Sequence, residues 1–436
     1  MQRDYLTELL GIQGYRVIDL DRIGDGPGRS IVRVHLERTQ QGYICSGCGQ
    51  GVLQGYDHAW QELRHLTWWQ HQCILRFQRY RVDCPDCGVR TEALEFADVR
   101  GPRVTLALTS LIYELCKVTT VKAVAALYGL RRDTVKDIDK ARLEHIQATR
   151  PLDGITVLGM DEIGVGKGHN YWVPVSALEG PRGPEMLYVV EGKSERRLRR
   201  FWRWFGKERA AKITHAVIDM CQTFAKSIRA HCRKTIREEV NGKIVETVRI
   251  AQIIYDKFHV MRQLNDALNT IRKAELGRAL GHFKKTLSGK KFVLLKRHAR
   301  VRGKAREALD AILAASPKLL KAYLLKESFG RLWDFTYKGC ARRFWEAWKA
   351  QLKWQRMPSY RRFVKLVDRH WDGILAFCDK KVSLGYIESA NLKARNVIRR
   401  AYGYRDKDYM KLKIIQACTP WMAEFQPWAV AHSFPS

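Results

Sequence analysis

The run Ile155-Thr-Val-Leu-Gly-Met-Asp161 is a short apolar segment that ends in a carboxylate, and Ile213-Thr-His-Ala-Val-Ile-Asp219 repeats the pattern. Each run indicates a buried strand, because continuous apolar runs of this length are typical of strands covered on both faces. A strand holds the side chain at its end with little freedom, which suits carboxylates that bind a metal. Glu388, which opens an arginine-rich helical run, is a third candidate.

The segments around these two runs predict a mixed sheet with helices on both faces. Three apolar runs joined by glycine-rich links predict an antiparallel meander: residues 154–162, 170–178 and 185–191. Alternating helices and strands follow: Ser194 to about Ala211, the run into Asp219, Thr223 to His231, and 249–255. This is the strand order of the RNase H-like α/β fold, whose active site lies at strand ends. A hairpin is inserted at 234–248, with Asn241-Gly242 as its turn.

The charge of the chain indicates a nucleic-acid partner. Its 436 residues include 78 Lys and Arg against 45 Asp and Glu, a net charge of +33 that is spread over the whole length. Such an excess is typical of proteins that bind the phosphate backbone. A membrane-surface protein is the competing hypothesis, but no amphipathic anchor or lipidation motif supports it. Without a signal-peptide pattern or a long apolar run, we expect a cytoplasmic protein that joins the nucleoid when bound to DNA.

Two cysteine pairs predict a structural zinc site. Cys45-Ser-Gly-Cys48 and Cys84-Pro-Asp-Cys87 are each followed by a glycine, which lets backbone amides turn toward the thiolates. Four thiolates in two such pairs are the usual ligands of tetrahedral zinc. The total of 11 cysteines is odd, which argues for a reducing compartment rather than a disulfide framework.

A helix-turn-helix outline follows the cysteine region. A small-residue helix at 121–128 ends at Gly129, which can adopt the left-handed turn conformation, and a second helix begins near Arg132. The side chains that would face the groove or the phosphates are Arg131, Arg132, Thr134 and Lys136. An ordinary helical hairpin is the alternative interpretation of this short motif.

Residues 257–387 are rich in helix-favouring, basic and tryptophan residues. The densest basic stretch includes Lys296 and Arg297, which we interpret as a DNA-tracking surface, with a solvated helix face as the alternative. The tryptophans are expected to form a helical core rather than platforms for base stacking: Trp333, Trp345, Trp348, Trp354 and Trp371.

The order of these parts resembles the ISL3 family of bacterial insertion-sequence transposases, which are DDE enzymes. The resemblance covers nearly the whole chain and rests on the cysteine pairs and five motifs: Met-Asp161-Glu, Asp219-Met, Asp256-Lys-Phe-His259, Gly385-Tyr-Ile-Glu388-Ser-Ala-Asn391 and Arg399-Arg-Ala-Tyr-Gly-Tyr404. It implies that Asp161, Asp219 and Glu388 form a catalytic triad that binds magnesium or manganese, with Asp256 and His259 as auxiliary residues. Two features depart from the family pattern: Val-Ser-Leu-Gly385 before Glu388, where an Asn-Gly step is expected, and the inserted hairpin.

Local spacing refines the residue roles. Asp161 and Glu162 are adjacent, so on a strand they would point to opposite faces and only one could serve the metal site. Helical spacing places five residues on one face: Glu388, Asn391, Arg395, Arg399 and Tyr402. The first turn would then serve the metal, and Arg395 and Arg399 would serve DNA phosphates.

These expectations define five parts: a zinc ribbon (1–100), a helix-turn-helix domain (101–150), the first part of an RNase H-like core (151–260), an all-helical insertion (261–384) and the end of the core (385–436). The expected enzyme binds the terminal inverted repeats of an insertion sequence as a homo-oligomer on double-stranded DNA. It then cleaves the ends and joins them to target DNA by two-metal phosphoryl transfer. The alternatives are a zinc-containing DNA-binding regulator with an inactive core, and a structure-specific or RNA-directed nuclease on the same fold.

Overall fold

The computed structural model describes residues 2–24, 30–166, 168, 170–240, 243–382, 385–400 and 405–426. The chain divides into two compact units: residues up to Arg150 with the segment that begins at Pro420, and Pro151–Thr419. The finer division into five parts stays a prediction. None of the described helices is long and apolar enough to cross a membrane.

The first unit combines a sheet with a group of helices. Its elements are α1 (Gln2–Leu10), β1 (Tyr15–Ile23), β2 (Ile31–Arg38), β3 (Tyr43–Ile44), β4 (Gly51–Val52), β5 (Gly55–Arg64), β6 (Gln72–Cys84), β7 (Gly88–Thr91), α2 (Leu106–Val118), α3 (Val121–Tyr128) and α4 (Arg132–Thr149). The sheet has the order β1-β2-β6-β5, with β7 paired to β6. The short strands β3 and β4 form a separate antiparallel pair, and the first cysteine pair lies in the turn between them.

Helices α2 to α4 begin and end where the sequence dictates. Thr105 and Thr120 each accept a hydrogen bond from a backbone amide in the first turn of the helix that follows. Gly129 ends α3 at φ 61°, the left-handed conformation expected of it. The predicted pair of helices around a glycine turn is therefore present.

The second unit contains the remaining elements except the last helix. They are β8 (Val157–Met160), β9 (Ile163–Gly164), β10 (Tyr171–Glu179), β11 (Glu185–Glu191), α5 (Glu195–Phe205), α6 (Lys207–Lys212), β12 (His215–Ile218), α7 (Gln222–His231), β13 (Arg233–Val240), β14 (Lys243–Ile250), β15 (Gln252–Tyr255), α8 (Lys257–Arg278), α9 (Gly281–Leu287), α10 (Lys291–Leu295), α11 (Lys304–Ala315), α12 (Pro317–Phe329), α13 (Lys338–Ala350), α14 (Pro358–Arg369), α15 (Trp371–Asp379), α16 (Gly385–Arg400) and α17 (Lys407–Cys418), with short 3₁₀ turns at His298–Arg300 and Gly330–Asp334. Helix α18 (Pro420–Ala423) belongs to the first unit.

The central sheet has the order β11-β10-β8-β12-β15. Strands β8, β10 and β11 are antiparallel neighbours, whereas β12 runs parallel to both β8 and β15. Three antiparallel strands and two parallel strands separated by helices match the predicted strand order.

Three boundaries differ from the prediction. The helix expected from Ser194 to about Ala211 is broken at Gly206, whose φ of 88° and ψ of 146° lie outside helical values. The strand expected at 249–255 is divided at Ala251, because β14 pairs with β13 and only β15 joins the central sheet. The hairpin is therefore longer than predicted, and its turn at Asn241-Gly242 lies outside the described residues.

Helix α5 shows how the sequence covers this sheet. Leu198, Phe201, Trp202 and Phe205 recur at helical spacing and are buried, while the intervening arginines are exposed. Replacing a buried aromatic such as Phe201 with alanine costs about 3–5 kcal/mol. This amphipathic pattern holds α5 on the sheet and leaves a basic outer face.

The region from α8 to α15 consists of helices joined by turns, with no strand among its described residues. Trp333, Trp345 and Trp348 are buried, and Trp345 stacks on Trp348 with ring centroids 5.3 Å apart. Trp371 is half-buried and stacks on Trp345. The expectation of a tryptophan core is wrong for Trp354, which is 84% exposed because it lies in the turn after α13 rather than on a packed helix face.

Candidate active site and metal centre

Three aspartates follow the ends of three neighbouring parallel strands. The last residues of β8, β12 and β15 are paired with one another: Met160, Ile218 and Tyr255. The residue that follows each of them is an aspartate, so three aspartates lie at the same edge of the sheet: Asp161, Asp219 and Asp256. The Asp256 amide also donates to the Ile218 carbonyl at 3.0 Å, which continues the pairing to this edge. Parallel strand ends are therefore the reason that acids distant in sequence come together.

Asp161 is half-buried, and both of its carboxylate oxygens accept hydrogen bonds. Oδ1 accepts a hydrogen bond from the Glu162 amide at 2.8 Å, and Oδ2 accepts one from the Asn391 side chain. Burial raises the pKa of Asp161, and the nearby Asp256 carboxylate raises it further. The two hydrogen bonds and the positive field of His259 lower it, but the net shift is upward. A carboxylate held in this environment gains from a bound cation.

Burial likewise raises the pKa of Asp219, whose Oδ1 accepts a hydrogen bond from the Cys221 amide at 2.9 Å. The Glu162 carboxylate contributes more to this rise than Asp161 does. Glu162 is therefore close enough to Asp219 to act on it electrostatically. The alternation argument for Asp161 and Glu162 does not apply, because β8 ends at Met160 and both residues follow the strand. The assignment of Asp161 rather than Glu162 to the metal stays a prediction.

Asp256 and His259 form a pair at the start of α8. Asp256 caps this helix by accepting from the Phe258 amide at 2.8 Å, and its other oxygen lies 2.7 Å from His259 Nδ1. The Asp256 carboxylate raises the pKa of His259, and Asp161 and Asp219 raise it further. Burial of the imidazole lowers this pKa, but the net shift is upward. His259 is therefore a cation-forming group within the field of the acidic edge.

Glu388 lies in the first turn of α16, and its side chain is exposed. Its helix lies against β8: a Cβ on Gly159 would be 3.0 Å from Ile387 Cδ1, so the glycine permits the approach. Asn391, one turn after Glu388, reaches Asp161. Glu388, Asn391, Arg395 and Arg399 share one continuous helix at the predicted spacing, and Tyr402 lies outside the described residues. Asn391 is buried, whereas the other three are exposed.

The oxygen ligands at this edge suit a hard divalent cation such as Mg²⁺. Among the described residues, however, the carboxylates of Asp161, Asp219 and Glu388 do not form a group whose oxygens all lie within 4.8 Å of one another. The structure brings Asp161, Asp219, Asp256 and His259 to one edge and places the helix of Glu388 beside it.

Lys193 is a neighbour of this edge that the sequence interpretation missed. Its Nζ lies 3.1 Å from Glu162 Oε1, and this hydrogen bond, together with the field of Asp219, raises the pKa of the lysine. A signal was present: Lys193 stands between a meander strand and the start of α5, at the end of the sheet where the acids lie.

The predicted DNA-contacting residues are largely on the surface. Arg131, Arg132, Lys296, Arg297, Arg395 and Arg399 are exposed, and Thr134 and Lys136 are half-buried. Helix α5 adds a stripe of exposed arginines at helical spacing that sequence interpretation had not singled out. Within the described part of the chain none of them has an ion-pair partner: Arg196, Arg199, Arg200 and Arg203.

The four predicted zinc ligands converge. The sulfur atoms of Cys45, Cys48, Cys84 and Cys87 all lie within 4.8 Å of one another, although the two pairs belong to different strands and turns. Hydrogen bonds from the backbone amides of Cys48 and Gly47 lower the pKa of Cys45 to about 7, which favours the thiolate. Four thiols at this separation fit one tetrahedral zinc ion.

Glycines shape the cysteine cluster. Gly49 and Gly88, which follow the pairs, have φ of 78° and 66°, as their position after the cysteines predicted. Gly47 has a different role, because a Cβ there would lie 2.9 Å from Cys87 Sγ. The space that the missing Cβ leaves is occupied by the sulfur of the second pair.

Comparisons of the sequence with known proteins find two matching family models and several relatives. The ISL3 family model, described as a transposase, matches residues 158–237 and 242–414. A second model, described as the zinc-finger of transposases IS204, IS1001, IS1096 and IS1165, matches residues 41–87. The transposase for insertion sequence element IS1001 of Bordetella parapertussis is 29% identical over 424 residues, covering 95% of this chain and 98% of that protein. The transposase for IS1557 of Mycobacterium tuberculosis is 26% identical, covering 91% of each chain.

Proposed function

Since the chain belongs to the ISL3 transposase family, we propose that it binds the terminal repeats of an insertion sequence, cleaves the DNA ends and joins them to target DNA. The observation that carries this proposal is the row of Asp161, Asp219 and Asp256 at the ends of three parallel strands, with the helix of Glu388 beside it. The α/β sheet is then an RNase H-like core of the DDE type, interrupted by an all-helical insertion.

In this proposal Asp161, Asp219 and Glu388 hold the divalent ions, magnesium or manganese. Such ions, when bound, activate a water and neutralise charge on the phosphodiester. The burial that raises the pKa of Asp161 and Asp219 also excludes water, which strengthens their attraction for a cation. His259, held by Asp256, supplies a positive charge or a proton at the same edge.

DNA recognition is assigned to the surface cations. Helix α4 begins with Arg131 and Arg132 and is proposed as the recognition helix of a DNA-binding helix-turn-helix. The basic loop at Lys296 and Arg297 and the arginine stripe of α5 contact phosphates without reading sequence. The protein acts as a homo-oligomer on double-stranded DNA, since the two ends of an element must be joined to one target.

The decisive experiment incubates the protein with duplexes carrying the terminal repeats and Mg²⁺, and maps the strand breaks. Asp161→Ala, Asp219→Ala and Glu388→Ala should each abolish cleavage and leave DNA binding intact. Lys296→Ala serves as a matched control, which should weaken binding but not remove the cleavage of bound DNA.

A second function is favoured by the exposed position of Glu388, whose carboxylate is not gathered with Asp161 and Asp219. In that case the chain is a zinc-containing DNA-binding regulator with an inactive core. Specific binding of the terminal repeats with no break in Mg²⁺ or Mn²⁺ would establish it and refute the transposase mechanism.

A further inference from the structure

Trp69, between β5 and β6, combines two unfavourable properties. Its side chain is 89% exposed, and its φ of 48° is the only positive φ at a residue other than glycine in the described part of the chain. A left-handed conformation is costly for a bulky side chain, and glycine or asparagine would occupy it more easily. Neither the exposure nor the conformation stabilises the fold, which points to a role outside it.

The turn that carries Trp69 is firmly built. The Trp68 amide donates to the His71 carbonyl at 3.0 Å, and the His71 amide donates back to the Trp68 carbonyl at 2.8 Å. The Trp68 ring packs against the core of the N-terminal sheet, and the His71 ring is hydrogen-bonded to Ser30. The indole of Trp69 is therefore projected from a fixed two-residue tip.

The base of this tip contacts the turn between α3 and α4. The Arg64 guanidinium donates to Gln72 Oε1 at 2.9 Å and to the Tyr128 carbonyl at 2.7 Å. Gly129 lies so close that a Cβ there would be 2.8 Å from Gln72 Nε2. The base of the Trp69 hairpin therefore lies beside the turn that immediately precedes α4.

We propose that Trp69 is a DNA-contacting wedge that stacks on or inserts at a base step beside the segment bound by α4. The inference rests on the proposed role of α4 in reading the transposon ends. Bases offer an aromatic face to an exposed indole, and aromatic wedges of this kind partly unstack the duplex. Charge complementarity favours DNA as the partner, since Arg103, Arg131 and Arg132 are exposed on the same unit and the chain carries +33.

The test compares variants of the full-length protein by fluorescence anisotropy on a terminal-repeat duplex and on a scrambled duplex. Trp69→Gly relieves the backbone strain and should weaken binding roughly tenfold, a typical loss for one stacked base. Trp69→Phe keeps an aromatic face and should retain most of the affinity. Trp354→Gly, which removes another highly exposed tryptophan, should leave binding to the terminal repeat unchanged.

A second readout separates stacking from a structural role. The 2-aminopurine probe, scanned along the repeat, should brighten at one step with the wild type and stay dim with Trp69→Gly. The melting temperature of Trp69→Gly should be equal to or above that of the wild type, because strain is lost.

Two results would refute the proposed role of Trp69. In the first, Trp69→Gly binds both duplexes with wild-type affinity. In the second, Trp69→Gly loses only self-association of the protein, which would make Trp69 a protein contact. The proposed function fails separately. If the wild type does not prefer the terminal repeat over scrambled DNA, end recognition is refuted, and the wedge is then judged by whether Trp69→Gly weakens binding to either duplex.

Discussion

Asn391 donates a side-chain hydrogen bond to Oδ2 of Asp161 across 230 positions of sequence. The contact joins α16, which carries Glu388, to the end of β8, which carries the first aspartate. Asn391 is buried, so this bond is shielded from water and orients the carboxylate firmly. A residue of this kind positions the acidic edge rather than acting on DNA itself.

We predict that Asn391→Ala lowers strand cleavage about 10- to 100-fold, the usual cost of losing a partner that orients a metal-binding group. DNA affinity should not change, since the side chain is buried. The rate of cleavage on pre-bound terminal-repeat duplex measures the effect. The control is Leu392→Ala on the exposed side of the same helix. Equal rates for the two variants would show that the contact is dispensable.

Asp219→Asn should raise the melting temperature of the metal-free protein at neutral pH. Burial raises the pKa of Asp219 in the folded state above its ordinary 3.8, so protonation favours folding. This contribution is complete at pH below the unfolded value and is lost as pH rises through the folded pKa. Asparagine avoids that loss and keeps an oxygen for the Cys221 amide. The difference in melting temperature should therefore shrink as the pH is lowered toward 4, and a constant difference would contradict the assignment.

Glu162→Gln should lower the pKa of Asp219, because the Glu162 carboxylate makes the largest contribution of any single charge to raising that pKa. It should also weaken Mg²⁺ binding several-fold and cleavage with it, since one negative charge leaves the site. Calorimetric titration with Mg²⁺ measures the affinity. Glu195→Gln, an exposed acid at the start of α5, is the comparison. If both variants bind Mg²⁺ like the wild type, Glu162 lies outside the metal field.

Gly47→Ala should weaken zinc binding roughly tenfold, because the new Cβ would lie 2.9 Å from Cys87 Sγ. Gly51→Ala adds a methyl group in open space within the same segment and should bind zinc normally. Zinc content after competition with a chelator distinguishes the two. Cys48→Ser should release zinc altogether and leave the second unit folded, because that unit has its own hydrophobic core. Unfolding of both units in Cys48→Ser would refute this independence.

DNA binding should weaken steeply with salt, because lysines and arginines displace condensed counterions. The double change Lys296→Ala and Arg297→Ala should reduce the slope of log affinity against log salt by about 2, with equal losses on repeat and scrambled DNA. Arg132→Ala should instead reduce the preference for the repeat. Binding isotherms at several salt concentrations decide both points, and an affinity independent of salt would contradict the phosphate-contact assignment.

Much of this molecule could be predicted from short-range patterns. Apolar runs that end at Asp161 and Asp219 predict strands because burial on both faces requires continuous hydrophobicity. The cysteine pairs predict a common metal because two residues of spacing suit a tight turn around one ion. Glycine at 129 predicts the end of α3 because few other residues adopt its conformation.

The remaining features of the site are contacts between residues that are distant in sequence, and local sequence patterns do not specify such contacts. The sequence by itself determined that the runs into Asp161 and Asp219 are strands, that the cysteines come in two pairs, and that the chain is strongly basic, since these follow from local sterics, hydrophobicity and composition. Only the tertiary structure decided that Asp256 stands in register with Asp161 and Asp219, that Glu162 raises the pKa of Asp219, and that Asn391 contacts Asp161. Those relationships come from strand register and helix packing, in which contacts between distant residues are set by the whole core rather than by neighbours in the chain.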